Sequence, residues 1–253
     1  MIFNGGIAVV TGGASGLGAA AARALAAAGM RPVIFDLNEG EGEKLASEVN
    51  GLFCKVDVAD PDSVANGFAE AGSAGTLRVL VNCAGIGPAA KTVSRGVAHD
   101  PGMFMRALSV NLGGTFNCAS QAAAIMTAQD PIGADQARGV IVNTASVAAF
   151  DGQIGQVAYA ASKGGIVGMT LPMARDLADK GIRVCTIAPG LFLTPLLHSL
   201  PPEAQESLGK QVPYPSRLGD PAEFATLALH IVTNPMLNGE VIRLDGAIRM
   251  APR

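Results

Sequence analysis

Residues 7–18 read Ile-Ala-Val-Val-Thr-Gly-Gly-Ala-Ser-Gly-Leu-Gly, an apolar run that breaks into glycines and then opens a helix-forming stretch. A run that is apolar at both odd and even positions suits a strand covered on two faces. Gly12, Gly16 and Gly18 allow a tight turn and a close approach of backbone to a pyrophosphate, while the helix start offers free N–H groups and a positive dipole end. Placed after the first strand, this turn predicts the opening βαβ unit of a dinucleotide-binding sheet. The rest of the chain repeats the alternation. Strands are predicted at 7–11, 32–36, 52–56, 79–82, 139–144, 182–187 and 240–244, and helices at 16–29, 39–49, 61–72, 103–128, 156–179 and 221–233. The expected fold is α/β: one Rossmann-like, doubly wound parallel sheet of about seven strands with helices on both faces.

Helix starts are marked chemically. Asp60-Pro61 and Asp220-Pro221 each set a capping carboxylate before a proline suited to the first turn, and Glu223 completes a capping-box pattern. Pro172 lies inside a helical stretch, where a kink or break is expected. No linker or repeat divides the chain, so a single domain over 1–253 is expected. The longest irregular stretches are about 86–102, 129–138 and 190–220. The last carries Leu191, Phe192, Leu193, Leu196 and Leu197 and reads as a mobile, apolar lid over a substrate.

Several function classes are disfavoured. The formal net charge is −3 and no block of Lys or Arg stands out, so no nucleic-acid partner is expected. The Ala-rich stretch 19–29 contains Arg23 and is too short to span a bilayer, so no membrane partner is expected. The first strand begins at Ile7, which leaves no room for a leader and makes a cytoplasmic location the expectation. Cys54, Cys83, Cys118 and Cys185 are scattered and read as reduced, buried thiols. His99, His198 and His230 share no ligand spacing, so no metal is expected. Only 15% of residues are charged, which hints that subunit contacts cover part of the exterior.

The remaining chemistry falls on two groups of residues. Asp36 ends the second strand, where a carboxylate can accept hydrogen bonds from ribose hydroxyls; followed by Leu37 rather than a base, it favours NAD over NADP. Asp57-Val58 can face an adenine, and Asn82-Cys83-Ala84-Gly85 can let a cofactor pass close to the fourth strand's end. Tyr159 and Lys163 stand four residues apart on one helix face. A free phenol has a pKa of about 10, and a nearby cation together with a nicotinamide's charge should lower it. Ser146, just past strand 139–144, can bring a second hydroxyl to Tyr159. Asn111 can hold a water on a proton path from Lys163, and Pro189-Gly190 can border the nicotinamide.

The segment Thr11-Gly12-Gly13-Ala14-Ser15-Gly16-Leu17-Gly18, the Asn82-Cys83-Ala84-Gly85 turn and the set Asn111, Ser146, Tyr159 and Lys163 resemble, in order, the motifs of the short-chain dehydrogenase/reductase family. Cys83 departs from the family's second asparagine. Runs such as Thr144–Phe150, Ser162–Pro172, Ile187–Phe192 and Gly239–Met250 are similar to the type II 3-hydroxyacyl-CoA dehydrogenase branch. The resemblance implies an NAD-dependent enzyme that interconverts a 3-hydroxyacyl-CoA and a 3-ketoacyl-CoA, with Tyr159 as general base and Ser146 on the substrate oxygen. It adds Ser15, Leu17, Phe192 and Thr194 to the cofactor contacts and implies a homotetramer. Lys91, Arg95 and Lys210 are candidates for coenzyme A phosphates, against an ordinary reading as solvated charge. A hydroxysteroid or other secondary-alcohol dehydrogenase is the alternative small-molecule reading. A non-catalytic NAD-binding subunit of a larger complex is the third.

Overall fold

The computed structural model describes residues 5–198 and 201–252, leaving the side chains of Leu196 and His198 outside the described set. In chain order the strands are β1 (Ile7–Thr11), β2 (Arg31–Asp36), β3 (Leu52–Lys55), β4 (Leu77–Asn82), the short pair β5 (Val93–Ser94) and β6 (Val97–Ala98), β7 (Gly139–Thr144), β8 (Ile182–Pro189) and β9 (Val241–Leu244). The helices are α1 (Gly16–Ala27), α2 (Glu39–Glu48), α3 (Pro61–Ala71), α4 (Pro101–Ala107), α5 (Gly114–Thr127), α6 (Val157–Asp176), α7 (Pro195–His198), α8 (Pro202–Gly209) and α9 (Pro221–Thr233). Seven strands form one parallel sheet in the order β3-β2-β1-β4-β7-β8-β9, as the alternation predicts, and β5 and β6 make a separate antiparallel hairpin. Strand order reverses between β1 and β4, the place where ligands of such sheets sit beyond the carboxyl ends of the strands.

The strand sequences explain the two layers. Ala8, Val10, Ile34, Val81, Val142 and Ile187 face one side and pack with Ala22 and Leu25 of α1 and Phe224 and Ile231 of α9. Their neighbours Val9, Val33, Phe35, Leu80, Ile141 and Val184 face the other side, with Phe68 of α3, Ala119 and Ala122 of α5 and Ala174 of α6. The middles of the central strands β1, β2, β4, β7 and β8 are therefore apolar at successive positions because both their faces are core. Small residues set the helix distances. The first residue of α5, Gly114, presses so closely on the turn after β3 that a Cβ there would fall 2.5 Å from Val58.

Three expectations change. The stretch 103–128 is not one α-helix: a π-helical segment, Leu108–Gly113, separates α4 from α5. The wider turn is where Asn111 turns inward, fully buried, and its freed carbonyl accepts the Thr115 hydroxyl at 2.6 Å. Pro172 does not break α6, which runs unbroken through it. Both Pro172 and Gly168, whose carbonyl loses its i+4 donor, are exposed, so water can take that carbonyl. The stretch 190–220 is not a lid from its first residue. Phe192 is buried and pairs with Gly219, and Leu191 and Leu193 share backbone hydrogen bonds with Gly219 at 2.8 Å. That stem is fixed, and α7 and α8 lie beyond it.

Among the described residues no helix is long and apolar enough to cross a membrane, and no three His, Cys, Asp or Glu side chains gather around a possible metal position. All four cysteines are free thiols. His99 and His230 bond to neighbouring groups, Asp100 and Asn234; the structural reading of His198 lies outside the described residues.

The cap of α9 is complete. Asp220 accepts from Ala222 N at 2.8 Å, Glu223 accepts from Asp220 N at 2.8 Å, and Arg217 holds both oxygens of Glu223. Replacing Asp220 with Ala should cost about 1 kcal/mol. In urea unfolding the midpoint should fall with an unchanged m-value.

Candidate active site

The carboxyl ends of β1, β2, β4, β7 and β8 open into one cleft of about 1220 Å³. One end is built by the turn from β1 into α1. Gly12 has φ +61° and lies against β4: a Cβ there would meet Ala84 N at 2.7 Å. At Gly18 a Cβ would fall 2.2 Å from the carbonyl oxygen of Gly12. These two glycines are thus required by the protein's own backbone, whatever ligand lies above it. Gly16, at φ +52°, faces Thr194 and Pro195 across the mouth.

Helix α1 differs from α2, α3, α4 and α9, each of which has a side-chain N-cap. Ser15 makes no capping bond and the first turn holds no acid, so its N–H groups and dipole end are left to the cleft. This cradle fits an anionic pyrophosphate. Farther along, Asp36 is held by Ala14 N and Asn38 N, each at 3.0 Å, beside the exposed Leu37. Asp57 is turned by Ala59 N at 2.9 Å, and Val58 O accepts from Asn117 at 3.0 Å.

Not every predicted contact reaches the wall. Asn82 is buried beneath it and ties three strands together. Its amide donates to Asn143 Oδ1 at 3.0 Å and to Thr115 O at 3.4 Å, and its oxygen accepts the Thr11 hydroxyl at 3.3 Å. Thr11 Oγ1 in turn accepts from Cys83 N and Ala84 N, each at 3.2 Å. Cys83, Ala84 and Gly85 do line the cleft, as do Ser15, Leu17, Pro189, Gly190, Phe192 and Thr194. Burial pushes the Cys83 thiol up to about 11, so it is no nucleophile near neutrality.

The other end holds the hydroxyls. Ser146 leaves β7 as the N-cap of a short 3-10 turn, and its Oγ accepts from Ala148 N at 3.1 Å, which fixes its rotamer. Tyr159, in the first turn of α6, lines the same wall as Ser146. Lys163 follows one turn later, with Nζ 5.7 Å from the Tyr159 ring centroid and donating to Thr144 O at 2.8 Å.

Burial governs the electrostatics of this end of the cleft by itself. It raises the Tyr159 phenol above its ordinary value, and Ser146 opposes only part of that rise. Burial also pulls Lys163 down to about 8, against a small opposing effect of Cys83. A buried amine that holds its proton weakly does not outweigh the phenol's own desolvation.

Asn111 lies behind the cleft wall rather than on it. Its Oδ1 accepts from Ile86 N at 2.8 Å, and its amide donates to Ile86 O and Ser162 Oγ, each at 2.9 Å. Between it and Lys163 lies Gly85, where a Cβ would be 3.1 Å from Asn111 Oδ1 and 3.7 Å from Lys163 Nζ.

Among the cleft residues that sequence reasoning missed are Arg106 on α4, Gln156 before α6 and Met250 in the C-terminal tail. Arg106 and Lys163 are the only cations on the wall among the described residues. Of the cations nominated for phosphates, Lys210 is paired with Glu206 at 2.7 Å, Arg95 turns the β5–β6 hairpin, and Lys91 lines a side groove that shares Gln156 with the cleft.

A sequence profile for short chain dehydrogenases matches residues 6–205. The chain is 56% identical to the 3-hydroxyacyl-CoA dehydrogenase type-2 of Homo sapiens, over 98% of this chain and 97% of that protein. It is 51% identical to the Drosophila melanogaster protein of the same name, over the full length of both. A crystal structure of 3-hydroxyacyl-CoA dehydrogenase type-2 from Mycobacterium avium superposes with a TM-score of 0.95 at 44% identity, covering 98% of each chain.

The state of Lys163 can be read from stability. Its amine is held near 8 in the folded chain against an ordinary 10.5, so above pH 8 the unfolded chain binds the extra proton and native stability rises with pH. The wild type should therefore gain stability relative to Lys163→Met as pH climbs from 8 towards 10.5, in urea melts at fixed ionic strength. A flat difference would place the amine at its ordinary value.

Proposed function

The chain belongs to the short chain dehydrogenase family and is an oxidoreductase, and from that premise we propose that it interconverts a 3-hydroxyacyl-CoA and a 3-ketoacyl-CoA with NAD, Tyr159 acting as general base. The observation that carries this reading is the shared wall: the hydroxyls of Ser146 and Tyr159 and the amine of Lys163 meet at one end of a cleft whose other end is an anion cradle. The names of the relatives support the acyl-CoA substrate.

Gly12, Ser15, Gly16, Leu17 and Gly18 would hold the pyrophosphate, Asp36 the ribose, and Asp57 and Val58 the adenine. Cys83, Ala84, Gly85, Pro189, Gly190, Phe192 and Thr194 would flank the nicotinamide end. Asp36 with Leu37 favours NAD, because a carboxylate there repels a ribose phosphate and the residue that follows it is exposed and apolar rather than basic. When bound, NAD supplies the hydride acceptor and a positive charge at the Tyr159 end of the cleft.

The residues then divide the work. Ser146, its hydroxyl fixed by Ala148 N, donates to the substrate oxygen. Tyr159 takes the proton of the substrate hydroxyl in oxidation and returns it in reduction. Lys163, anchored on Thr144 O, would relay that proton, releasing one of its own towards the gap at Gly85 before Asn111 as it takes one up from the Tyr159 side. The phenol raised by burial keeps the free enzyme in its proton-bearing form, so ionisation waits for the added positive charge.

The segment beyond the Phe192–Gly219 stem would act as the substrate lid of one domain spanning 1–253. A homotetramer would cover the apolar side chains exposed on α4 to α6: Met103, Met105, Phe116, Val157 and Leu171.

Tyr159→Phe should lower kcat by about 10²–10⁴-fold while NADH still binds, measured by fluorescence titration in a protein that has no Trp. The reaction is followed as NADH consumption with acetoacetyl-CoA and a ketosteroid in parallel. Turnover of the ketosteroid alone would favour the alternative alcohol. Asp36→Asn keeps the backbone hydrogen bonds and should narrow the NAD-over-NADP preference in kcat/KM by about 10-fold, the scale of one charge-assisted hydrogen bond. An unchanged preference would remove Asp36 as the ribose contact.

A further inference from the structure

Residues 245–252 fold back onto the loop that joins Ser146 to Tyr159. Arg243 of β9 is the fastener. Its guanidinium donates to Asp245 Oδ2 at 2.8 Å, Asp151 Oδ2 at 2.5 Å and Ile248 O at 2.9 Å, and it lies 5.3 Å over the Phe150 ring. Arg249 adds a contact to Asp245 at 3.2 Å. The side chains of Arg243, Asp151 and Asp245 are only 20%, 18% and 7% exposed, so this is not a solvated surface pair of little worth. A planar, multidentate guanidinium of this kind fixes orientation, and lysine could not replace it.

The tail is held farther along as well. Gln153 Nε2 donates to Ala251 O at 2.9 Å, and Ile154 N donates to Pro252 O at 3.1 Å. At the tail's start, Gly190 is pressed on Asp245, where a Cβ would be 2.9 Å from Asp245 Cβ. Between these anchors Met250 reaches the cleft wall, together with Ala148 and Gln156 of the fastened loop. It is an apolar, flexible side chain on the side of the cleft where Ser146 and Tyr159 stand.

We propose that Met250, presented by a tail that Arg243 fastens to the Ser146–Tyr159 loop, is the specificity-determining wall that limits the bulk of acyl chain the cleft accepts. The proposal rests on the acyl-CoA reading above. Arg243 touches no substrate and is a positioning residue. Its charge network keeps the wall in register with the two hydroxyls, so a loosened tail should widen the site without moving the cofactor end.

The test compares kcat/KM for a long-chain 3-ketoacyl-CoA with that for acetoacetyl-CoA in wild type, Met250→Ala and Arg243→Met. Met250→Ala should raise the ratio by about 10-fold, the discrimination that a small change in an apolar pocket can give. The rise should come through KM of the long substrate, with NADH affinity retained. Arg243→Met should shift the ratio in the same direction and speed hydrogen exchange at the Ile154 amide. A Met250→Ala ratio within about twofold of wild type overturns the wall, as does a faster Ile154 exchange in Arg243→Met with no change of ratio. If wild type reduces neither thioester, only the acyl-CoA reading fails. The same ratio taken with a bulky and a small ketone then decides the wall, by the same two outcomes.

Discussion

The hydrogen bond from Lys163 to the carbonyl oxygen of Thr144, 2.8 Å long, joins the end of β7 to the first turns of α6. Ser146 leaves the same strand two residues after Thr144, and Tyr159 precedes Lys163 by one turn of the same helix. A side chain fixed at both ends therefore fixes both hydroxyls. Beneath it, the strand ends are held level by Thr11, Asn82 and Asn143, one side chain from each of β1, β4 and β7 at matched register. Catalytic geometry in a parallel sheet comes from this kind of alignment: the scaffold is rigid, and residues distant in sequence meet at its carboxyl edge.

The electrostatics follow from the same burial. Packing Lys163 against β7 weakens its hold on a proton, and burial raises the Tyr159 phenol, which Ser146 only partly opposes. In the free chain the phenol therefore keeps its proton, while the amine, near 8, is still charged at neutral pH but gives up its proton more readily than an ordinary lysine. A further positive charge brought to the cleft would favour the phenolate, so on the function proposed above the base forms in the complete complex.

Much of this was legible in the sequence. The central strands announce themselves as runs apolar at both odd and even positions, such as Ile7–Val10 and Val140–Val142, and Asp60-Pro61 and Asp220-Pro221 mark helix starts that the capping bonds reproduce. The glycine turn, the Asp36 strand end and the Tyr159–Lys163 spacing all lie on the predicted side of the sheet. What was not legible depends on contacts between distant segments. The π-helical turn at Asn111 has no local signature, because it is set by Ile86 and Ser162. Pro172 stays helical because its side of α6 is wet. Phe192 looked like part of a lid but is a stem residue, since Gly219 leaves room for its ring. Asn82 looked like a cofactor neighbour and is a strand tie. The burial that raises the Tyr159 phenol in the chain by itself is not legible either, because spacing on a helix reports the cation and not the desolvation. Arg243 and Asp151 are far apart in the chain, and only the folded tail brings them together.

The most direct test uses the chain's two tyrosines and lack of tryptophan. With Tyr214, an exposed residue, replaced by Phe, the near-ultraviolet absorbance of phenolate reports Tyr159 alone. Titrated without nucleotide, that phenol should ionise above the ordinary tyrosine value; titrated with saturating NAD, its midpoint should fall below that value towards neutrality. A midpoint that NAD leaves unmoved would contradict the account, because Tyr159 would then never become the base.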